Sequence, residues 1–280
     1  MFQNIENTDN DYKYYKYKTK YLLQKELKGG MKNVLIKNKG KLNKYVNNVN
    51  ESYKIFKLKY TDNDYKIIKN FIIEKESSYN YYGLIDKKIL IEQIKLFLLQ
   101  IGKNSLNNCK KITNLLYALI KEVTIDIYHR NFAWILIRIM LPNENDDKNY
   151  LIPRFHVDGK YFNFKDKTNL GQTKFITTLK GAGTIFVDSN KQIRDIYYDF
   201  IVKNLDREEN MQYRIELMNL LESAKKINLK NNEGAIFKNC DKNLAAIHSE
   251  PYITEPRIFL SILPGNEEEI NELYERQKKI

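Results

Sequence analysis

The sequence predicts an α+β protein in which supporting helices precede a sandwich or barrel of short strands. Residues 51–125 carry mainly the apolar spacing of helices, whereas the runs after residue 130 are short, β-rich and separated by Gly and Pro. Many short strands joined by such turns are typical of a sandwich or a barrel. Hydrophobic residues make up 42% of the 280 residues, which is enough to build one sizeable core.

Helical patterns occupy four stretches: residues 84–99, 112–123, 192–226 and 266–280. In the last stretch, Asn266 is placed to cap a helix whose first turn is acidic and whose last turn is basic. We therefore expect a helical support region at 51–128, then a strand domain at 129–265 that contains a helical insertion at 192–226. A C-terminal helix at 266–280 completes the predicted organisation.

Strand-like composition marks seven short runs: residues 132–141, 154–157, 175–179, 184–187, 235–237, 244–248 and 258–263. The first run is the most apolar, but it carries Arg138 and is too short to span a bilayer, and no signal segment precedes it. The two cysteines, Cys109 and Cys240, exclude a disulfide framework and indicate a reducing compartment. The sequence thus predicts a cytoplasmic protein that has no membrane partner.

Residues 1–50 differ from the rest and are expected to form a Tyr/Lys-rich segment and a polar linker. Tyr14, Tyr17 and Tyr21 share one face if the segment is helical, so a solvated amphipathic helix is one interpretation. The segment also resembles the Tyr/Lys-rich leaders of large DNA virus proteins, some of which mature at double glycines like the pair ending at Gly30. That resemblance implies a viral protein of the host cytoplasm or virion, with a processing or targeting partner.

The net charge of +12 at pH 7 has two interpretations. A basic surface favours a nucleic acid, another anionic surface or an acidic substrate as partner. However, the chain holds 39 Lys and only 8 Arg, and arginine is the residue that binds phosphates and bases in a bidentate manner. An AT-rich genome also produces a chain rich in Lys, Asn, Ile and Tyr, so the charge also fits codon usage alone.

Two of the three histidines lie in contexts that suit a metal site. On a strand, His156 and Asp158 occupy positions i and i+2 and point to the same face. His248 follows on a strand about ninety residues later. Two imidazoles and one carboxylate form the facial ligand set of non-haem Fe(II) oxygenases, which leaves other coordination positions open. Each residue alone has an ordinary alternative, because a single strand histidine often packs in a core.

Arg257 extends this pattern, because it begins an apolar strand nine residues after His248. A guanidinium at that place can form a forked pair with a carboxylate of a cosubstrate. The glycine-rich turn at 180–184 lacks the Gly-Lys-Ser/Thr ending of a phosphate-binding loop. We therefore interpret this turn as a tight connection between strands.

Taken in order, these segments resemble the 2-oxoglutarate- and Fe(II)-dependent dioxygenases, including their prolyl 4-hydroxylase-like members. A family of uncharacterised bacterial and eukaryotic proteins looks closer, since its segments read F-H-x-D, T-T-x-R-G-x-G-T, H-x-S-P and then Arg. The corresponding segments here read FHVD at 155–158, TTLKGAGT at 177–184 and HSEP at 248–251, followed by Arg257. The resemblance covers about residues 130–264.

The resemblance implies a double-stranded β-helix, which is a cupin-like jelly roll of two facing sheets. It implies Fe(II) and 2-oxoglutarate as cofactors and an enzyme that hydroxylates an unidentified acceptor while converting 2-oxoglutarate to succinate. The acceptor is a protein side chain, a nucleic acid or a small molecule.

The resemblance also implies roles by position for six residues. The residues that would bind Fe(II) are His156, Asp158 and His248. The residues that would bind 2-oxoglutarate are Arg257, Thr178 and Lys174. Arg257 would pair with the distal carboxylate, and either Thr178 or Lys174, from one face of a strand, would assist it. The chain departs from the family pattern at Phe259, where many members have Ser or Thr, and at Ser249, where the closer family often has Arg.

Two other functions fit the same residues. A cupin-type metalloenzyme would use the three metal ligands without 2-oxoglutarate, and replacement of Arg257 would then leave its turnover largely intact. A non-enzymatic jelly-roll binding protein, or a virion-associated one, would use the strands only as a scaffold.

Overall fold

The structure is a computed structural model, and it describes residues 35–47, 51–142, 152–162, 172–207, 210–241 and 243–279. The Tyr/Lys-rich segment and the double glycine at Gly30 therefore lie outside the described residues. Helix α1 (Lys39–Asn47) occupies part of the stretch that the sequence predicted as a polar linker. None of the helices in the described ranges is long and apolar enough to cross a membrane.

Nine strands in the described ranges form two antiparallel sheets. They are β1 (Tyr53–Lys57), β2 (Ser77–Leu84), β3 (Phe132–Met140), β4 (Thr173–Lys180), β5 (Ile185–Val187), β6 (Lys226–Asn228), β7 (Glu233–Lys238), β8 (His248–Ser249) and β9 (Arg257–Gly265). The large sheet has the order β1-β7-β4-β9-β3-β2, and the small sheet has the order β6-β5-β8. A bridge between His156 and His248 adds one more paired position beside β8.

From β3 onward the chain passes repeatedly between the two sheets. β3 lies in the large sheet, the bridge at His156 pairs with the small sheet, and β4 returns to the large sheet. β5 and β6 then pair in the small sheet, β7 lies in the large sheet, β8 in the small one and β9 in the large one. Consecutive segments therefore lie mostly in different sheets, and this arrangement brings distant residues together between them.

Six further helices follow α1 in the part of the chain that the structure describes. They are α2 (Asp62–Asn70), α3 (Lys87–Leu99), α4 (Leu106–Lys121), α5 (Lys191–Lys203), α6 (Met211–Leu220) and α7 (Glu267–Gln277), and α4 continues into a turn of π-helix (Glu122–Ile127). The cap predicted for the C-terminal helix is confirmed, since Asn266 accepts a hydrogen bond from the N–H of Glu269, whose carboxylate accepts one in return.

The hydrophobic core lies on both faces of the large sheet. On one face, Ile137 of β3 and Leu260 of β9 join the buried apolar residues of α3 and α4. On the other face a smaller group of side chains fills the space between the two sheets. This inner cluster consists of Ile176, Phe186, Leu229, Ala235, Phe237 and Ala246, with Tyr53, Ile55 and Phe259 packed against it.

The main difference from the sequence prediction concerns strands. The region 51–128, which was predicted to be helical, also contributes β1 and β2, the two edges of the large sheet. Both strands are half exposed and contain Lys, Ser or Asn, so no continuous apolar run marks them. The strand predicted at 154–157 is reduced to the bridge at His156, and the one at 244–248 is reduced to β8.

The turn between β4 and β5 is the tight connection that the sequence predicted. Gly181 has a φ of +85°, and a Cβ there would lie 2.9 Å from the Cα of Arg257. A Cβ on Gly183 would lie 2.0 Å from the carbonyl oxygen of Leu229. Between the two glycines, the carbonyl of Ala182 accepts a hydrogen bond from Nε of Arg257 at 2.8 Å. The turn therefore supports this arginine directly.

Gly181→Ala is expected to lower the free energy of unfolding by about 1–3 kcal/mol, since an alanine would be strained in this backbone conformation. The matched control is Gly40→Ala in α1, where a Cβ meets no atom within 4 Å. Chemical denaturation of both variants measures the difference. Equal stability of the two variants would contradict the role assigned to the turn.

Candidate metal centre

Three electron-pair donors meet where the chain around residue 156 pairs with β8. The backbone N–H of His156 donates to the carbonyl of His248 at 2.8 Å, and the N–H of His248 donates back at 2.9 Å. Two residues further on, the carbonyl of Asp158 accepts a hydrogen bond from the N–H of Cys240 at 3.0 Å. One ligand atom from each of His156, Asp158 and His248 lies within 4.8 Å of the other two. The structure thus gathers the three residues that the sequence suggested as metal ligands.

Both imidazoles are oriented by their backbone neighbours. Nδ1 of His156 lies 2.8 Å from the carbonyl oxygen of Arg154, and Nδ1 of His248 lies 3.0 Å from that of Ala246. A carbonyl oxygen only accepts hydrogen bonds, so each Nδ1 is the donor, and in the neutral ring Nε2 then has a free lone pair. Both Nε2 atoms lie 3.8 Å from the same oxygen, Oδ1 of Asp158, which is too long for a hydrogen bond. Two ring nitrogens and one carboxylate oxygen that face one another at such distances fit a bound cation.

The two histidines differ in burial, because aromatic rings cover His248 whereas His156 is partly exposed. The His248 ring packs on Phe237 and Phe186, at ring-centroid distances of 4.7 and 5.9 Å. Burial lowers the pKa of His248 to about 4, against the opposing effect of the Asp158 carboxylate, so this imidazole is neutral near pH 7. The His248 side chain is 8% exposed and that of His156 is 31% exposed. The centre therefore opens to solvent on the His156 side.

Lys174 of β4 contacts the other oxygen of the carboxylate. Its Nζ lies 2.7 Å from Oδ2 of Asp158 and 3.4 Å from the hydroxyl of Tyr161. Burial alone would raise the pKa of Asp158, but the ammonium charge of Lys174 outweighs it and holds this pKa well below its usual range. Burial alone would lower the pKa of Lys174, and Asp158 outweighs this and raises it. The pair is therefore ionised in the protein.

Arg257 lies at the start of β9 and is fully buried, with 0% of its surface exposed. Besides the hydrogen bond to Ala182, its two Nη atoms lie 3.5 Å from Sδ of Met140 and 3.5 Å from Oγ1 of Thr184. Its guanidinium stacks on the Phe259 ring, 4.7 Å from the centroid. Within the described ranges no carboxylate lies within 4.0 Å of it, and burial lowers the pKa of Arg257 to about 10. The carboxylate of Glu250, which pairs with Arg138, opposes this shift without touching Arg257, so the guanidinium is a buried cation with no carboxylate in direct contact among the described residues.

Thr178 lies on the same face of β4 as Ile176 and Lys174, the face that borders the inner cluster. It pairs across the sheet with Phe259, the residue that covers Arg257. Its hydroxyl is buried and has no hydrogen-bond partner among the described residues. Of the residues suggested for 2-oxoglutarate, Lys174 is therefore beside the metal centre, whereas Thr178 and Arg257 lie further along the inner cluster.

Sequence reasoning missed several residues that shape the site. Tyr161, Phe186 and Phe237 contact the donors or Lys174, but single aromatic residues carry no signal that distinguishes them from core residues. A cleft of about 840 Å³ also opens beside Met140, the neighbour of Arg257 across the sheet. One wall of the cleft holds Arg138, which forms an ion pair with Glu250. No sequence motif indicated this cleft.

No protein-family profile matches the chain, and no curated protein sequence is significantly similar to it. Among solved structures, it is similar to a prolyl-4-hydroxylase of Pseudomonas putida, with a TM-score of 0.38 and 7% identity over 80% of this chain and 97% of that one. It is also similar to a prolyl hydroxylase of Trichoplax adhaerens in complex with a hypoxia inducible factor peptide, with a TM-score of 0.38 and 8% identity. That match covers 84% of this chain and 94% of the other. For the non-haem iron oxygenase OrfP, in complex with Fe and L-Arg, the TM-score is 0.39 and the identity 8%. The match covers 81% of this chain and 79% of OrfP. Because these values are low, the function has to be argued from the site itself.

A divalent ion such as Mn²⁺ is expected to raise the melting temperature of the protein by about 5–10 °C at a hundred times its Kd, because it binds only the folded site. His156→Ala and His248→Ala are expected to abolish this rise. The matched control is His129→Asn, which changes an exposed histidine whose φ of 52° asparagine tolerates. Differential scanning fluorimetry measures all four proteins. A rise that survives in His248→Ala would contradict this assignment of the ligands.

Proposed function

We propose that the protein is a 2-oxoglutarate- and Fe(II)-dependent oxygenase that hydroxylates an acceptor. The observation that carries the proposal is the convergence of Nε2 of His156 and Nε2 of His248 on Oδ1 of Asp158, at a place where the His156 side is exposed to solvent. The guanidinium of Arg257 is buried, has no carboxylate in direct contact among the described residues and stacks on Phe259 of the inner cluster, so it offers a site for an anionic cosubstrate.

We propose further that the two sheets form a double-stranded β-helix. The order of segments from β3 to β9 supports this, when the bridge at His156 is counted as a segment. β3, β4, β7 and β9 lie in the large sheet, and the four segments between them, which are the bridge, β5, β6 and β8, lie in the small sheet. Eight segments that alternate in this manner between two facing sheets are typical of a jelly roll. The inner cluster between the sheets is the corresponding interior.

The donor set fits Fe(II) in kind and in number. Two neutral imidazoles and one carboxylate are the ligands of non-haem iron oxygenases, and three ligands leave positions for a chelating cosubstrate and O₂. In the proposed enzyme, His156, Asp158 and His248 would hold Fe(II), which supplies the coupled decarboxylation of 2-oxoglutarate and hydroxylation of a C–H bond. Phe186 and Phe237 exclude water from the buried side of the donors.

Arg257 is the residue that would recognise the cosubstrate. A guanidinium offers a planar fork that matches a carboxylate, and the two Nη atoms of Arg257 have only long contacts at 3.5 Å. A carboxylate bound there would give the buried cation an anion in direct contact. The unpartnered hydroxyl of Thr178 lies on the neighbouring strand and offers an additional donor.

One observation favours a second candidate, a cupin-type metalloenzyme that does not use 2-oxoglutarate. Nε of Arg257 already donates to Ala182, and the guanidinium stacks on Phe259, so protein groups partly satisfy this arginine. In that enzyme Arg257 would brace the turn between β4 and β5 rather than bind an anion. The two candidates share the metal centre and differ in the effect of changing Arg257.

Arg257→Lys is expected to weaken the binding of 2-oxoglutarate to the Fe(II)-loaded protein by about tenfold or more, because lysine keeps the charge but loses the fork. The measurement is an anaerobic titration that follows the visible charge-transfer absorption of the Fe(II)–2-oxoglutarate complex. The matched control is Arg194→Lys, a second buried arginine whose hydrogen bonds go to Ser52, Ser189 and Ala245.

The outcomes separate the candidates. An absorption band that is weakened by Arg257→Lys but not by Arg194→Lys, together with succinate formation, supports the oxygenase. Metal binding with no band at any 2-oxoglutarate concentration would favour the cupin-type enzyme. No metal binding at all would leave a non-enzymatic scaffold.

A further inference from the structure

We infer that Lys174 is a positioning residue of the metal centre, which fixes one oxygen of Asp158 and sets the charge of the donor set. This inference rests on the proposed function, because it requires a divalent metal at the three donors. It gives Lys174 a different task from the recognition of 2-oxoglutarate that the family resemblance implied. The support comes from the contacts, burial and charge of Lys174.

The two oxygens of Asp158 face different partners. Oδ1 lies 3.8 Å from Nε2 of both His156 and His248, whereas Oδ2 lies 2.7 Å from Nζ of Lys174. An ammonium group at that distance forms a strong, charge-assisted hydrogen bond. It therefore leaves only Oδ1 to point at the imidazoles, and it holds the carboxylate to a single ligating oxygen.

The side chain of Lys174 is confined beside Asp158 by its surroundings. The residue is 8% exposed, and its ammonium lies 5.6 Å from the centre of the Phe237 ring and 5.3 Å from that of Tyr161. The hydroxyl of Tyr161 is its second polar partner, at 3.4 Å. Aromatic faces and one hydroxyl thus confine the ammonium against Asp158. Reaching a cosubstrate would require breaking a buried ion pair, which is costly.

The charge of Lys174 alters what the centre attracts. Two neutral imidazoles and one carboxylate carry a charge of about −1, and the adjacent ammonium cancels it. A divalent metal would then give the group a net charge of about +2 instead of about +1. The extra positive charge opposes binding of the metal and favours binding of a dianion such as 2-oxoglutarate. Lys174 would therefore weaken the binding of the metal and strengthen the subsequent binding of 2-oxoglutarate.

Lys174→Met tests this directly, since methionine fills a similar volume without charge or donor. The metal should bind about tenfold tighter or better, because the repulsion is removed and Oδ2 becomes free to bind as a second ligand oxygen. 2-Oxoglutarate should bind the loaded protein about tenfold more weakly. Lys174→Arg should restore both affinities, because it keeps the cation beside Asp158.

The experiment uses Co²⁺ as the probe, titrated into the full-length apo-protein and followed by its visible absorption. In the absence of 2-oxoglutarate, Lys174→Met should shift the band and lower its intensity, as expected when an additional oxygen joins the metal. The matched control is Lys238→Met. Lys238 is also buried on a neighbouring strand, but its ammonium pairs with Asp241 instead of a proposed metal ligand. This control should keep the wild-type band and Co²⁺ affinity.

The results are decisive in each case. If wild type binds Co²⁺ and Lys174→Met gives the same band and affinity, the inference is overturned while the metal centre stands. If wild type binds no Co²⁺, the proposed function and this inference fail together. Should Lys174→Met not fold, Lys174→Gln, which keeps a donor but not the charge, decides the matter. Tighter Co²⁺ binding by Lys174→Gln supports the inference, and unchanged binding overturns it.

Discussion

The carboxylate of Asp158 is the group on which the site depends. It is nearly buried, it accepts a hydrogen bond from Lys174 through one oxygen, and its other oxygen faces two imidazole lone pairs at equal distance. A buried carboxylate in this position needs positive charge, and Lys174 supplies one cation. In the proposed metal centre, Lys174 would compensate the charge of Asp158 and a metal ion would be the second cation.

The fold makes this arrangement possible by crossing between its two sheets. His156 and His248 are far apart in sequence, and reciprocal backbone hydrogen bonds join them at the edge of the small sheet. Lys174 extends from β4 of the large sheet to Asp158, two residues after His156. The same crossings place Arg257 against the turn at Gly181, where the close approach of two backbones allows no side chain. The three donors are thus fixed by a contact at the edge of the small sheet, and the buried arginine by the turn between β4 and β5.

Much of the site could be predicted from sequence, because its residues lie in short segments with strong local constraints. The i, i+2 spacing placed His156 and Asp158 on one side, and the segment order suggested His248 and Arg257 as their companions. Their ligand roles stay predictions, although the residues do lie where a site requires them. The glycine turn was also predictable, since close packing leaves glycine as the residue that fits. The acceptor has no such signature, and the sequence leaves it open.

Other features could not be predicted. The contact between Lys174 and Asp158 joins β4 to the segment that follows the bridge at His156, two parts of the chain that only the tertiary fold brings together. Lysines elsewhere in this lysine-rich chain look the same in sequence. The edge strands β1 and β2 escaped prediction because they bury only part of each face and therefore lack a continuous apolar run. In both cases tertiary packing, rather than local pattern, decides the outcome.

The most direct measurement is a crystal structure of the protein loaded anaerobically with Fe(II), with anomalous diffraction data collected at the iron edge. The account predicts one anomalous peak bonded to Nε2 of His156, Nε2 of His248 and Oδ1 of Asp158, with Lys174 still on Oδ2. A metal bound elsewhere, or a metal-free site in a protein that turns over 2-oxoglutarate, would contradict it.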